Sequence, residues 1–377
     1  MKILFTYEYP FHKCGYGGGQ QIIRDLSKSL TNQGHEVIIA CLGIDELKLN
    51  EIDNPVRYEF QYDYKVGIRS FLFASFGSIK LINKHKPDFV LSFSSESAII
   101  SLYCKLKKIP FYIYIAAPYL PIFKFRRPIL YFKNIRFHLP LYLQYIGIYF
   151  SNKIFSISDF IREQAINNWN TNEKDIINIG CAISNEIINY KPLVNKINSE
   201  IRIATTGRIM FTQKPIDLIA VAISKSKLHI NEWHIIGSGS DLDNFKNLLQ
   251  NLNLLEVTTI HSTLTTKEIC ELYDNIDIVI LPSYNESFFI TAFEAISLKK
   301  VLITNKVANL DKIFKDFKTI IFLDDISIDS INKGFKEALD ILKSVNIIND
   351  LTIASEFVNL NYNWKNISLK LIDNVEL

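Results

Sequence analysis

The sequence predicts an α/β protein built as two doubly wound parallel-sheet, Rossmann-like domains facing a central cleft. Three observations predict it. Short apolar runs of four or five residues, such as Phe111–Ile115 and Ile278–Leu281, alternate along the chain with amphipathic helical stretches. The length, 377 residues, exceeds what one core usually organises. A stretch of Asn- and Lys-bearing sequence without periodicity, Asn189–Glu200, splits the alternation in two. The expected division is a first domain over residues 1–188, a second over 189–357, and a terminal segment over 358–377 that packs back on the first as a helix.

In the first domain Ile3–Thr6 reads as a strand, Gly15–Gly19 as a glycine-rich turn, and Gln20–Gln33 as a helix with Ile22, Leu26 and Leu30 four apart. Gly34 ends that helix and Val37–Cys41 follows as a strand. Strand Phe89–Ser92, helix Ser97–Leu106, strands Phe111–Ile115 and Ile154–Ser156, a helix opening near Asp159, and strand Ile176–Ile179 continue the pattern. In the second domain the strands are Ile201–Thr205, Trp233–Ile236, Val257–Ile260, Ile278–Leu281 and Val301–Thr304. Helices over Pro215–Ser224, Leu242–Leu249, Thr266–Tyr273 and Ser287–Leu298 separate them. Asn363, Trp364 and Leu369–Ile372 belong to the terminal helix.

Composition bounds the setting. Hydrophobic residues make up 48% and charged residues 21%, so the chain is globular throughout. Five cysteines (14, 41, 104, 181, 270) are odd in number and scattered, which argues for a reducing cytosol rather than a disulfide framework. MKILFTYEYP reads as a first strand, not a signal peptide. The longest stretches free of charge, Ile109–Phe123 and Phe137–Phe150, are broken by proline and too short to span a bilayer. The expected location is cytoplasmic, peripheral on the inner face of the membrane. The net charge of +3 hides an asymmetry: residues 1–185 carry 22 Lys+Arg against 15 Asp+Glu, and the remainder 42−22 = 20 against 39−15 = 24. A basic front half and an acidic back half predict different partners.

The most informative stretch is Asp277–Thr304, a strand–helix–strand unit framed by Glu286 at the helix mouth and Glu294 two turns along. Eight residues at 100° each come to roughly 800°, so the two glutamates are loosely co-facial on an ideal helix. The amides around Ser287–Ile290 have no intrahelical acceptors, which suits phosphate. Ahead of them, Arg208 and Lys214 follow the end of strand Ile201–Thr205. Guanidinium and ammonium together can neutralise a diphosphate. The glycines Gly17, Gly18 and Gly19 lie between a strand and a helix N-terminus, where backbone can approach phosphate closely; a flexible turn would carry the same residues. The triplet Asp241–Asp243 follows the turn Gly237–Ser240 and reads as helix capping rather than a metal site. His35 reads as structural.

GRIMFTQKP (Gly207–Pro215), WHIIGSGS (Trp233–Ser240) and NESFFITAFE (Asn285–Glu294) resemble, in order and spacing, the second domain of family 4 glycosyltransferases of the GT-B fold. Gly17–Gly19, NQGHEV (Asn32–Val37), Ser156–Ser158 and INIGCAI (Ile177–Ile183) are similar to landmarks of that family's first domain. The resemblance implies sugar transfer from a nucleotide diphosphate donor with retention of anomeric configuration, without a metal or other cofactor. It implies that Arg208 and Lys214 hold the diphosphate beside Gly207, and Glu286 the donor sugar. The amides of Ser287, Phe288, Phe289 and Ile290 lie near sugar and phosphate, Glu294 on the ribose, His261 and Ser262 near the base. Gly18 and its neighbours close on the phosphate from the first domain, which takes the acceptor; the second takes the nucleotide sugar. Where many members carry a histidine after the strand Phe111–Ile115, this chain has Ala116, Ala117 and Pro118. That departure keeps open an alternative, a catalytically silent GT-B subunit binding a partner transferase or a glycan.

Between Ser97 and Ser158 there is no Asp or Glu, while Lys124, Arg126, Arg127, Lys133 and Arg136 stand among aromatic residues. One-signed charge with aromatic anchors suits an anionic membrane surface or a glycan or lipid-linked acceptor. A solvated basic face over an aromatic core would read the same way. No nucleic-acid module is recognisable. The resemblance implies a hexosyltransferase-type enzyme, and the expected role is surface polysaccharide or glycoconjugate synthesis of bacterial type.

Overall fold

The computed structural model describes residues 1–10, 18–42, 57–60, 68–93, 97–116, 143, 145–169, 172–193, 201–226 and 230–376. They divide into two compact units. Unit 1 is Met1–Ala182 with Trp364–Leu377, and unit 2 is Ile183–Asn363.

Unit 1 carries a seven-stranded parallel sheet. Its strands are β1 (Lys2–Pro10), β2 (Glu36–Leu42), β3 (Arg57–Phe60), β4 (Phe89–Ser92), β5 (Phe111–Ile115), β6 (Lys153–Ser156) and β7 (Ile176–Asn178), ordered β3-β2-β1-β4-β5-β6-β7. All pairings are parallel. Every residue of β4 and β5 is buried, as a parallel sheet covered on both faces requires. The first helix spans Gly18–Asn32 and buries Ile22, Ile23, Leu26 and Leu30 at three- and four-residue steps. It begins earlier than the glycine-turn reading expects: Gly18 and Gly19 form its first turn. Gly34 closes it with φ +86°, while His35 N–H reaches back to the Leu30 carbonyl at 3.1 Å. Strand β3 and the helix Ile68–His85 are additions to the expected list.

The terminal helix Trp364–Asp373 packs within unit 1 on the helix Gly18–Asn32, where Ser29 and Ser368 share a hydroxyl hydrogen bond of 2.8 Å. Beyond it, the Tyr112 hydroxyl donates to the Glu376 carbonyl at 2.8 Å and accepts from its amide at 2.7 Å.

Unit 2 carries a six-stranded parallel sheet. Strands β8 (Ile201–Thr206), β9 (Ile230–Ile236), β10 (Thr258–His261), β11 (Ile278–Leu281), β12 (Val301–Asn305) and β13 (Ile320–Leu323) are ordered β10-β9-β8-β11-β12-β13. The chain reverses its direction of travel across the sheet between β8 and β11. In an open α/β sheet the ligand crevice lies outside the carboxyl ends of the strands at that switch point. One face packs Trp233, Phe245, Ile280, Ile303 and Phe335 into a continuous core. The Trp233 indole N–H is satisfied by Thr205 Oγ1 at 3.0 Å. Strand β13 and the helices Asn185–Asn189, Leu310–Ile313, Ile328–Leu342 and Ile347–Asn361 complete the unit. The aperiodic stretch from Asn189 is pinned at its start, because the Tyr190 hydroxyl and the Leu193 amide both donate to Asp274, at 2.6 and 2.9 Å.

Candidate functional site

Two loops leave the sheet of unit 2 at its switch point, Gly207–Lys214 after β8 and Pro282–Phe289 after β11. They are stitched together. The Tyr284 amide donates to the Gln213 carbonyl at 3.0 Å, and the Ser283 hydroxyl reaches that carbonyl at 3.4 Å. The Asn305 side chain accepts from the Ser283 amide at 2.8 Å and donates to its carbonyl at 2.9 Å, fixing the second loop to the end of β12. Ser283 is fully buried. Ser283, Asn305 and Gln213 are absent from the sequence-derived set. Their roles are contacts between loops distant in the chain, which no local pattern signals.

The helix expected from Ser287 starts at Ile290 and runs to Ser297, so Glu286 sits in the turn. Its N-cap is Phe289, in the left-handed region at φ 51° and ψ 56° and without a side-chain cap bond. An L-residue with a Cβ bears roughly 1–2 kcal/mol there. In return the turn opens. The amides at the start of the helix face away from any intrahelical acceptor, with the positive end of the helix dipole behind them. Phe288 points into an aromatic cluster, stacked on Phe293 at 4.4 Å and near Tyr362 at 5.9 Å. Its neighbour's ring turns the other way, and the Lys214 ammonium stands 4.0 Å from the centroid of Phe289.

Lys214 and Glu286 form an ion pair through Glu286 Oε1, which also accepts the Ser283 hydroxyl at 2.9 Å. The two side chains are 18% and 21% exposed, so the pair is largely out of water yet reachable. Burial pulls the Lys214 ammonium below the ordinary lysine range, and Glu286 opposes that pull. Gly207, at φ +145°, flanks the lysine stem, and a Cβ there would lie 3.4 Å from Lys214 Cε. Arg208 is exposed, and its Nη1 donates to Gln213 Oε1 at 3.3 Å. The loop carrying both cations is held by Asp241, whose carboxylate accepts the Phe211 amide at 2.9 Å. The capping expectation is thereby corrected: Asp241 occupies the N-cap of Leu242–Asn251 but makes no side-chain cap bond.

Ser287 precedes Phe288 in the turn, and Glu294 lies on the second turn of the helix. Glu294 is near the Cys270 thiol, which burial first, then that carboxylate, pushes up to about 12. It also acts on Tyr273, whose hydroxyl bonds Thr206 Oγ1 at the end of β8 at 2.8 Å. His261 ends β10 and is stacked on His234, with Nε2 and Nδ1 3.1 Å apart. Burial and that neighbour lower its pKa. Ser262 beside it is exposed. Gly17, Ala117, Pro118, Lys124, Arg126, Arg127, Lys133 and Arg136 lie outside the described residues. Among the described residues no cluster of three or more His, Cys, Asp or Glu is arranged to hold a metal ion. Among them, too, no helix is long and apolar enough to cross a membrane.

Two Rossmann-like parallel-sheet units, one with cation and carboxylate loops at its switch point, define the architecture of GT-B glycosyltransferases. A glycosyltransferase from Rickettsia africae superposes with a TM-score of 0.77 at 18% identity over 99% of this chain and 97% of that one. Anabaena HepE in complex with UDP does so at 0.77 and 11% identity over 99% of each. These likenesses carry the fold. Residues 16–186 match the family model Glycosyltransferase Family 4, and residues 190–349 match Glycosyl transferases group 1. The chain belongs to the family 4 glycosyltransferases of the GT-B fold. A glycosyltransferase of Methanocaldococcus jannaschii is 25% identical over 243 residues, a match spanning 61% of each chain.

Proposed function

We propose that the chain transfers a sugar from a nucleoside diphosphate sugar to a glycan or lipid-linked acceptor, with retention of configuration and without a metal. The observation that carries this reading is the Lys214–Glu286 pair at the open mouth of the helix Ile290–Ser297. A lysine and the amides at a helix start match a diphosphate, and a carboxylate beside them matches sugar hydroxyls. In the reaction the bond from the anomeric carbon to the diphosphate oxygen breaks and the bond to the acceptor oxygen forms on the same face. The acceptor proton passes to the departing diphosphate. In this reading Lys214, with Arg208 on the same loop, and the helix-mouth amides stabilise the negative charge that develops there, the kind of contribution that lowers such a barrier most. Glu294, near the end of β8, is the candidate for the ribose and His261 for the base. Anabaena HepE, which shares the fold, binds UDP and UDP-glucose, and this supports the donor class.

A panel of UDP-, GDP-, ADP- and CMP-sugars in a thermal-shift assay tests the donor. A micromolar ligand at about a hundred times its dissociation constant stabilises by about 2.7 kcal/mol. No shift with any of the four would defeat the reading. Transfer to an acceptor, with the product anomer read by NMR, then tests retention. The second reading, a silent GT-B subunit, is favoured by Ala116 standing after β5 where many family members carry histidine. Donor binding without transfer or hydrolysis would select it.

We also propose that unit 1 meets the cytoplasmic face of an anionic membrane. Supporting this, the helices Ile68–His85 and Ser97–Lys107 contain no carboxylate and expose Leu72, Phe76, Leu102 and Leu106 beside Lys80, Lys105 and Lys107. Each basic residue near such a surface contributes about 1 kcal/mol. Co-sedimentation with phosphatidylglycerol vesicles but not with phosphatidylcholine vesicles is expected. Equal recovery with both sinks the proposal.

A further inference from the structure

We propose that the Phe289 side chain is a positioning residue for Lys214: it occupies a left-handed backbone conformation in order to hold an aromatic face against the ammonium. The inference rests on the reading of Lys214 as the diphosphate cation, and it concerns a side chain where the family resemblance assigns only a backbone amide. Position 289 needs φ 51°, which glycine adopts freely and phenylalanine does not. A bulky residue at such a position calls for a return from its side chain. Phe288 supplies the ring of the aromatic cluster, stacked on Phe293 at an interplanar angle of 11°, so that cluster needs no second ring from position 289. The Phe289 ring is nonetheless 4% exposed and lies under the Lys214 ammonium, 4.0 Å from centroid to nitrogen. That is within cation–π range, and the partial burial of the lysine strengthens it.

Three surfaces thus confine one flexible side chain. Gly207 lies along its stem, Glu286 pairs with its nitrogen, and Phe289 presents a π face. Glu286 cannot do this alone. When a donor sugar hydroxyl engages its carboxylate, the pair loosens, whereas the ring contact is independent of the carboxylate. A cation ordered before the ligand arrives costs less to order on binding. Phe289 therefore keeps Lys214 at the helix mouth through donor entry.

The test replaces Phe289 with phenylalanines bearing one, two and three ring fluorines, which drain the π face with little change of shape, alongside F289L, F289G and F289Y. Two readouts are taken on the full chain: acylation of Lys214 by acetic anhydride, followed by peptide mass spectrometry, and the dissociation constant of UDP by calorimetry. Acylation of Lys214 is expected to climb stepwise with fluorination and to reach about tenfold in F289L, with other lysines unchanged. UDP affinity falls in parallel by a similar factor, and F289Y restores both. F289G relaxes the backbone but removes a buried ring, so its thermal midpoint falls, while its acylation matches F289L. A flat fluorine series, or a lost midpoint with unaltered acylation, overturns the proposal and leaves a packing role. Should UDP fail to bind the native chain while the acylation series still climbs, the positioning of Lys214 stands and the donor reading falls.

Discussion

Two turns of unit 2 each follow a parallel strand and open a helix, and they use opposite chemistry. The turn after β9, Gly237–Ser240, carries two glycines, the residue that lets a backbone come close to something else. The turn after β11, Glu286–Phe289, has no glycine at all. In the first, the close approach is to the protein's own backbone. A Cβ on Gly237 would stand 1.9 Å from the Gly207 carbonyl oxygen, and one on Gly239 would stand 2.0 Å from that of Ile209. The Gly207 and Ile209 amides extend the ladder past β8 by donating to Ile236 and Ser238, at 2.9 and 3.0 Å. In the second turn the backbone opens outward and a lysine and a glutamate meet at its mouth. Glycine marks where something comes close; it does not say what.

The largest expected effect separates these roles. Gly237→Ala puts a methyl into a carbonyl and forces φ +154° on an L-residue. A loss of about 4 kcal/mol is expected, at the upper end for single substitutions, lowering the midpoint of unit 2 by roughly 10 °C. Gly34→Ala is the control. It has φ +86° but nothing within 4 Å of the added Cβ, so it should cost only about 1 kcal/mol. If both variants melt alike, the collision has no weight and the glycines of Gly237–Ser240 are not explained by backbone approach.

Next in size is the dependence of nucleotide binding on the Lys214 charge. Lys214→Met should weaken UDP-sugar binding about a hundredfold, since a charge-assisted bond is worth about 1.5–3 kcal/mol. The sign with pH follows from its lowered pKa. Folding disfavours the ammonium, so the cost of burying it is relieved as pH rises through the folded pKa. Donor binding needs the ammonium and is lost over that same rise, beginning below the ordinary lysine range. A calorimetric titration across alkaline pH should show affinity falling in the native chain and flat in Lys214→Met. A decline of equal slope in both assigns the pH dependence elsewhere, to the nucleotide or to another side chain.

Much of the frame was legible because buried parallel strands are short apolar runs. Phe89–Ser92, Phe111–Ile115 and Ile278–Leu281 coincide with β4, β5 and β11. Strand β3, Arg57–Phe60, has no such run: it is an edge strand that mixes polar and aromatic residues. Ile320–Leu323 satisfies the same rule as the others and has a turn signal beside it in Asp324 and Asp325, so it too is legible although the expected list omits it. At the site, residue types that carry charge were readable, and Lys214 and Glu286 do meet. The left-handed Phe289 was not, since phenylalanine carries no propensity for that region. Nor was the purpose of Asp241, which as an acid before a helix predicts a cap but instead holds the Phe211 amide at 2.9 Å.

The smallest expected effect sharpens the comparison most, because it touches the second turn without touching its charges. Ser283 is buried, and its strongest side-chain bond is the 2.9 Å donation to Glu286 Oε1; its reaches to the Gln213 and Asn285 carbonyls are 3.4 Å each. Ser283→Ala deletes that donation and leaves the backbone clamp with Asn305 intact, because the clamp uses the Ser283 amide and carbonyl. Glu286 keeps Lys214 as a partner, so the stability cost should be about 0.5–1 kcal/mol. If the carboxylate must be aimed at a sugar hydroxyl, the loss appears with UDP-sugar and not with UDP, a few-fold in one and none in the other. Equal weakening of both ligands would mean that Ser283 serves the diphosphate end instead, and that the carboxylate at the helix mouth does not read the sugar.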